Sequence, residues 1–187
     1  MKTAGISPVA QVRRWVELLV VGEGLCPFAA KPMREGQVRI TASEATDAEG
    51  VFRDFLAEVE HLLAVDASVV ETTLLVTPYA LADFAGYLDL LARMESALDE
   101  LELESVLQLA SFHPDYRFEG EPEDDASHYT NRSPYPVFHL IRQSSIDRAL
   151  QDWPGDPEEI PRRNQRRMRE LGRDYLTRLL NQPKVSS

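Results

Sequence analysis

Apolar residues recur at helical spacing through Val9, Val12, Val16 and Leu19, with Trp15 beside them, until Gly22 and Gly24 stop the run. Ser7 and Pro8 ahead of it supply a capping hydroxyl and a proline at the first helical position. Val38 and Ile40 alternate with Arg39, which predicts a short strand over 37–41. Thr46-Asp47-Ala48-Glu49 reads as a capping box before a helix that carries Phe52, Phe55, Leu56, Val59 and Leu63 on one face. A β-branched run over 69–77, ended by Pro78, predicts the second strand. Helical spacing returns from Leu81 through Phe84, Leu88, Leu91 and Leu98 to Leu101. The 105–110 run is apolar on both faces and is expected at the centre of a sheet. A fourth strand is predicted over 137–141, then a short helix capped by Ser144 or Ser145. Asp156-Pro157-Glu158-Glu159 opens a last helix, expected to bury Met168, Leu171, Tyr175 and Leu179 before Pro183 ends it.

The order α-β-α-β-α-β-loop-β-α-α predicts an α/β chain (α+β layered), a mixed sheet of about four strands packed with helices. The chain of 187 residues suits a single globular domain over 1–187. No internal repeat, P-loop, GxSxG elbow or HExxH is present, and Gly22 to Gly24 follows a helix, unlike a dinucleotide fingerprint. A net charge of −11 speaks against general nucleic-acid binding. Seven arginines between Glu158 and Arg178 form the exception, read either as a solvated helix face paired with acidic neighbours or as an anion or acidic-partner patch. No run approaches the roughly 18 apolar residues of a membrane span. Arg13 and Arg14 interrupt the apolar N-terminal pattern, which lacks an export-type cleavage signature, so no membrane association and a cytoplasmic location are expected. The single cysteine agrees with a reducing compartment.

The candidate chemistry concentrates in the 112–136 stretch, which has neither period and is therefore read as a long site-forming loop. Six aromatics between Phe112 and Phe138 argue for order there. His113 stands just beyond a strand end, the side on which open α/β sheets collect ligands, and is the leading general acid or base. His139 alternates with Phe138 and Leu140, so it faces either a cleft or solvent. His128 lies among acidic residues and reads as exposed or as a ligand. Thr130-Asn131-Arg132-Ser133-Pro134-Tyr135-Pro136 offers amide and guanidinium donors on a proline-stiffened backbone, which suits a small anion; Arg142 could join it. The competing reading is a rigid turn in which Asn131 caps backbone and Arg132 pairs with Asp124 or Asp125. Cys26, between Leu25 and Pro27, is either a small buried hydrophobe or an activated nucleophile. A Cys-Pro dipeptide can also offer haem a thiolate. The 15- and 11-residue separations of the three histidines match no compact metal signature, and no structural metal is expected, although strand ends could bring them together.

Cys26-Pro27-Phe28-Ala29, the run from Ala110 to Pro114 with Tyr116, Phe118 and Gly120, and the run from Thr130 to Pro136 with His139 and Arg142 together resemble an uncharacterised bacterial family, the domain of unknown function numbered fourteen-fifteen. The resemblance covers nearly the whole chain and implies no reaction. It does imply that Cys26 and the His113-to-His139 segment belong to one site-bearing fold. Three functions follow as expectations. One is an enzyme acting on a small anionic metabolite, with Asn131, Arg132, Tyr135, His139 and Arg142 holding it and His113 and Cys26 as catalytic groups. The others are a metal- or haem-binding protein, with His113, His128 and His139 as candidate ligands, and a non-catalytic binding module. The cofactor and the oligomeric state are not legible in the sequence.

Overall fold

Ser7 opens the first helix, its hydroxyl accepting the Ala10 N–H at 3.3 Å with Pro8 next in line. In the computed structural model, which describes residues 6–151 and 153–181, this helix α1 (Pro8–Trp15) runs directly into a π-helical turn, Val16–Val21. Gly22 closes the widened turn. A Cβ there would stand 2.3 Å from the Leu18 carbonyl oxygen, so only glycine fits. A short helix α2 (Ala30–Glu35) follows, and the hydrophobic pattern did not announce it: six residues with Pro32 among them carry no period.

The strands are β1 (Val38–Ala42), β2 (Thr72–Val76), β3 (Leu107–Phe112) and β4 (Val137–Arg142), in the spatial order β1-β2-β4-β3. β1 and β2 run parallel, and β4 is antiparallel to both of its neighbours. The mixed four-stranded sheet packed with helices is thus as expected. Its internal order is not, because the run expected at the centre, β3, is an edge strand and β4 holds the central place. α4 covers the Leu107 and Leu109 face of β3, while Gln108 on the other face is exposed, as an edge strand allows. Its outer edge is satisfied in part by the loop: Asn131 donates its side-chain amide to the Ser111 carbonyl at 3.1 Å.

Helices α3 (Ala48–Ala64) and α4 (Phe84–Glu100) cover one face and bury Phe55, Leu62, Tyr87 and Met94 against Leu75, Phe138 and Leu140. Asp47, and not Thr46, caps α3 by accepting the Gly50 N–H at 2.7 Å, while Glu49 reaches Arg93 on α4. The helix thus has a single cap and no capping box, because its N3 residue, Gly50, has no side chain to reach back. Its inward stripe runs Val51, Phe55, Val59, Leu62, which leaves Leu63 44% exposed. The Tyr87 hydroxyl sits between β3 and β4, accepting the Phe112 N–H and donating to the Val137 carbonyl.

The opposite face is covered by α1, the π turn, α6 (Glu159–Leu171) and α7 (Arg173–Asn181), with α5 (Gln143–Gln151) following β4. Neither Ser144 nor Ser145 caps α5 through a side-chain hydrogen bond to its backbone. The single final helix expected from the pattern is two. Gly172 (φ 77°, ψ 149°) breaks it and resets the phase, so Leu176 is buried where Tyr175 was expected and Tyr175 is 40% exposed. Pro183 lies outside the described residues. Among the described residues no helix is long and apolar enough to cross a membrane.

Candidate functional site

Strand alternation divides the chemistry between two faces. On β4, Phe138 and Leu140 point toward α3 and α4, while Val137, His139 and Ile141 point the other way. On β3, Ala110 and Phe112 share the His139 side. There the sheet does not meet its helices closely, and a cavity of about 800 Å³ lies between them. Trp15, Val16 and Val20 come from α1 and the π turn, and Cys26, Phe28 and Met33 from the loop and α2. Ile146, Ala149 and Trp153 close the side formed by α5. Trp15 meets Phe112 edge-on at 5.0 Å between ring centroids, and Phe28 meets Trp153 at 5.8 Å. Among the described residues, the charged ones along the lining are two cations, Lys31 and Arg148, and three carboxylates, Glu35, Asp66 and Glu71. This is not an anion trap.

His139 is the imidazole of this cavity. Thr72 donates its hydroxyl to the Leu140 carbonyl at 2.6 Å, so its oxygen accepts the His139 Nε2–H at 2.7 Å. Nδ1 is then the unprotonated nitrogen. Burial with no carboxylate partner pushes the ring down to about 4, which keeps it neutral at pH 7. A histidine whose folded value is depressed contributes stability that is full above the ordinary value near 6.5 and is lost as the pH falls toward 4. Between pH 7 and pH 4 the loss attributable to His139 is expected to reach up to about 3 kcal/mol. His139→Gln should lack that part of the slope, which urea unfolding of both proteins across the range would reveal. Equal slopes would show that His139 protonates freely in the folded protein.

Cys26 shares the cavity wall. The loop that carries it is held from α6, where Asn164 donates to the Leu25 carbonyl and Arg163 to that of Gly24, both at 2.7 Å. Burial pushes the thiol up, while the Phe28 and Ala29 N–H groups and the nearby Arg163 charge act in the opposite direction. At neutral pH it is a thiol, not a thiolate.

The remaining predicted residues lie elsewhere. His113 is fully buried on the α4 side, its ring 5.1 Å from those of Phe84 and Tyr87. Its Nδ1 accepts the Asp115 N–H at 3.0 Å and its Nε2–H donates to the Leu81 carbonyl at 2.9 Å, which holds Leu81 in a left-handed conformation (φ 61°). Desolvation lowers its pKa. His128 is not exposed, as its acidic surroundings suggested, but fully buried; it accepts the Phe118 N–H and donates to the Pro122 carbonyl. Asn131 donates a side-chain N–H to the Ser111 carbonyl. Arg132 donates to the Tyr116 carbonyl and lies over the Tyr129 ring, and it is Arg169 that pairs with Asp125. Tyr135 accepts from Gln11 at 3.0 Å. Arg142 donates to the carbonyls of Leu62, Val65 and Val70 around the end of α3. The three histidines do not converge, and among the described residues no group of three or more His, Cys, Asp or Glu could hold a metal ion. Of the 112–136 loop, only Phe112 lines the cavity. The arginines of α6 pair mostly with acids: Arg162 with Glu159, Arg167 with Glu23 and Glu170, and Arg169 with Glu121 and Asp125.

Sequence reasoning missed Trp15, Phe28, Thr72, Ser145 and Trp153 as site residues. The chain has only two tryptophans, Trp15 and Trp153, and both line the cavity, the one compositional signal that pointed there. No curated protein and no solved structure matches the chain. The resemblance of the Cys-Pro-Phe, Ser-Phe-His-Pro and Asn-Arg-Ser-Pro strings is upheld by a family model that matches residues 7–178, from the cap of α1 into α7, and the chain belongs to that family, described as Protein of unknown function (DUF1415).

Proposed function

We propose that this protein binds a small molecule with a mostly apolar body in the cavity beneath α1, α2 and α5, with His139 and Cys26 as the groups that meet its reactive or polar end. The cavity carries the reading. Ligand sites are clefts or cavities of roughly 300–1,000 Å³, and about 800 Å³ falls within that range. Both titratable groups are uncharged at neutral pH, so the site favours an uncharged ligand or an uncharged portion of one. Any covalent chemistry would use the Cys26 sulfur, which lines the cavity together with the neutral His139 imidazole. The anionic-metabolite reading has less support, because Asn131, Arg132 and Arg142 spend donors on main-chain carbonyls and both nitrogens of His113 are taken.

Thermal unfolding against a small panel tests it, using N-phenyl-1-naphthylamine, decanoate and haemin. Haemin is included because a cysteine thiolate and an imidazole can both ligate its iron. A ligand at a hundred times its Kd stabilises by about 2.7 kcal/mol, or about 5–10 °C in Tm for a chain of this size. Ala110→Phe, which places a ring on the cavity floor, should remove the shift. No shift with any of the three, or an undiminished one in the variant, would contradict the proposal.

A further inference from the structure

The cavity has a polar mouth. Among the described residues, every exposed one along its lining is polar: Lys31 and Glu35 on α2, Asp66 and Ser68 in the turn before β2, and Arg148 on α5. The apolar lining lies inward of them, with Trp15, Val38 and Leu74 buried. Of the five charged residues described along the lining, Glu71 alone is drawn into the wall, its side chain 17% exposed. The main chain fixes its place, because the Glu71 N–H donates to the Gln37 carbonyl at the start of the β1–β2 pairing. Its carboxylate accepts no hydrogen bond from the described residues. Arg148 stands 3.8 Å away, near enough for attraction and beyond hydrogen-bond distance. A half-buried carboxylate has given up part of its water and keeps acceptor capacity for a donor that the cavity admits. His139 belongs to the same end, since its ring bonds the hydroxyl of Thr72, the residue after Glu71.

We infer that the ligand is a lipophilic alcohol, whose hydroxyl donates to the Glu71 carboxylate at the mouth while its apolar body runs inward past His139 toward Trp15 and Phe112. The strand register gives that direction. Thr72 pairs with Ile141 at the mouth, Leu74 with His139 next, and Phe112 with Val137 at the far end. Charge selects among the polar ends a ligand could carry. A carboxylate has no proton to donate and would meet Glu35, Asp66 and Glu71. An ammonium can donate, but the Arg148 cation lies beside the group that would receive it. A hydroxyl donates and brings no charge. The inference rests on the cavity reading above and narrows it to one ligand chemistry.

A matched set of probes separates the two claims. 2-Naphthylmethanol, 2-ethylnaphthalene and 2-naphthylmethylamine share one frame and end, at neutral pH, in a hydroxyl, a methyl or an ammonium group. Their Kd values are measured by calorimetry on wild type, on Glu71→Leu and on Arg148→Met. On wild type the alcohol is expected to bind about three- to tenfold more tightly than the hydrocarbon, the equivalent of one hydrogen bond, and the amine more weakly than the alcohol. In Glu71→Leu the hydrocarbon should bind at least as well as before, with the alcohol reduced to its level. In Arg148→Met the alcohol should keep its preference while the amine gains on it, because the competing cation is gone. Equal affinity for alcohol and hydrocarbon on wild type would overturn the inference and leave the apolar cavity standing. Tightest binding of the amine on wild type, an alcohol preference that survives Glu71→Leu, or an amine that Arg148→Met leaves unmoved would overturn it as well. Failure of all three probes on wild type would remove the cavity reading and this inference with it.

Discussion

His113→Phe is expected to destabilise the protein by about 2–5 kcal/mol, with little effect on what the cavity binds. The substitution keeps an aromatic ring between Phe84 and Tyr87 but removes both hydrogen bonds of the imidazole. The Asp115 N–H and the Leu81 carbonyl are then left in a site where the replaced side chain was fully buried. Each unsatisfied buried group costs about 1–3 kcal/mol. Relaxation of the left-handed Leu81 backbone, held through that carbonyl, offsets part of the loss. A lower urea midpoint at unchanged slope would report the loss as one of stability. The Kd for N-phenyl-1-naphthylamine, measured where the variant is folded, should match wild type, because His113 does not line the cavity. A loss below about 1 kcal/mol would show that the two ring nitrogens are dispensable and would return His113 to the candidates for chemistry.

Arg142→Leu is expected to cost about 2–4 kcal/mol. Its guanidinium reaches the carbonyls of Leu62 and Val65 at 2.6 and 2.7 Å and that of Val70 at 3.1 Å, across the turn between α3 and β2. The first two are end carbonyls of a 17-residue helix, where orphan acceptors and the negative pole of the macrodipole both favour a cation. Hydrogen bonds to a charged group contribute about 1.5–3 kcal/mol, somewhat reduced here because the site is only half-buried. Arg142→Lys should recover part of this, since an ammonium restores the charge but not the fork. Hydrogen exchange would localise the effect, with amides of the last turn of α3 losing protection before those of α4. Uniform loss across both helices would argue that Arg142 supports the whole sheet and not that junction.

The layered architecture was legible because Val, Ile and Leu fall at strand and helix periods, and those periods depend only on which side of an element is buried. Strand order was not. The 105–110 run looked central because it is apolar on both faces, yet burial of faces says nothing about neighbours within the sheet. β4 became central through pairings with β2 and β3 that no local pattern records. The end of the chain was misread in phase for a local reason, Gly172 interrupting an otherwise continuous helical spacing.

For the site, the residues that looked most chemical serve the backbone. Long irregular segments must satisfy their own N–H and C=O groups, and His113, His128 and Asn131 do so in the loop. Histidine, asparagine and arginine carry the same donors and acceptors whether they bind a ligand or a turn, so residue type alone could not tell the two apart. His139 could be placed on the face away from Phe138 by alternation. What that face met, a cavity lined by Trp15 and Trp153 from segments 138 positions apart, belongs to tertiary structure.

Because the chain's two tryptophans both line the cavity, its intrinsic fluorescence reports directly on occupancy. Titration with N-phenyl-1-naphthylamine, which accepts tryptophan emission, should quench that emission along a saturating curve with one probe bound per chain, and Ala110→Phe should abolish the saturable part. Quenching that rises in proportion to probe without saturating, or that is identical in the variant, would show that the cavity takes no ligand and would contradict the account.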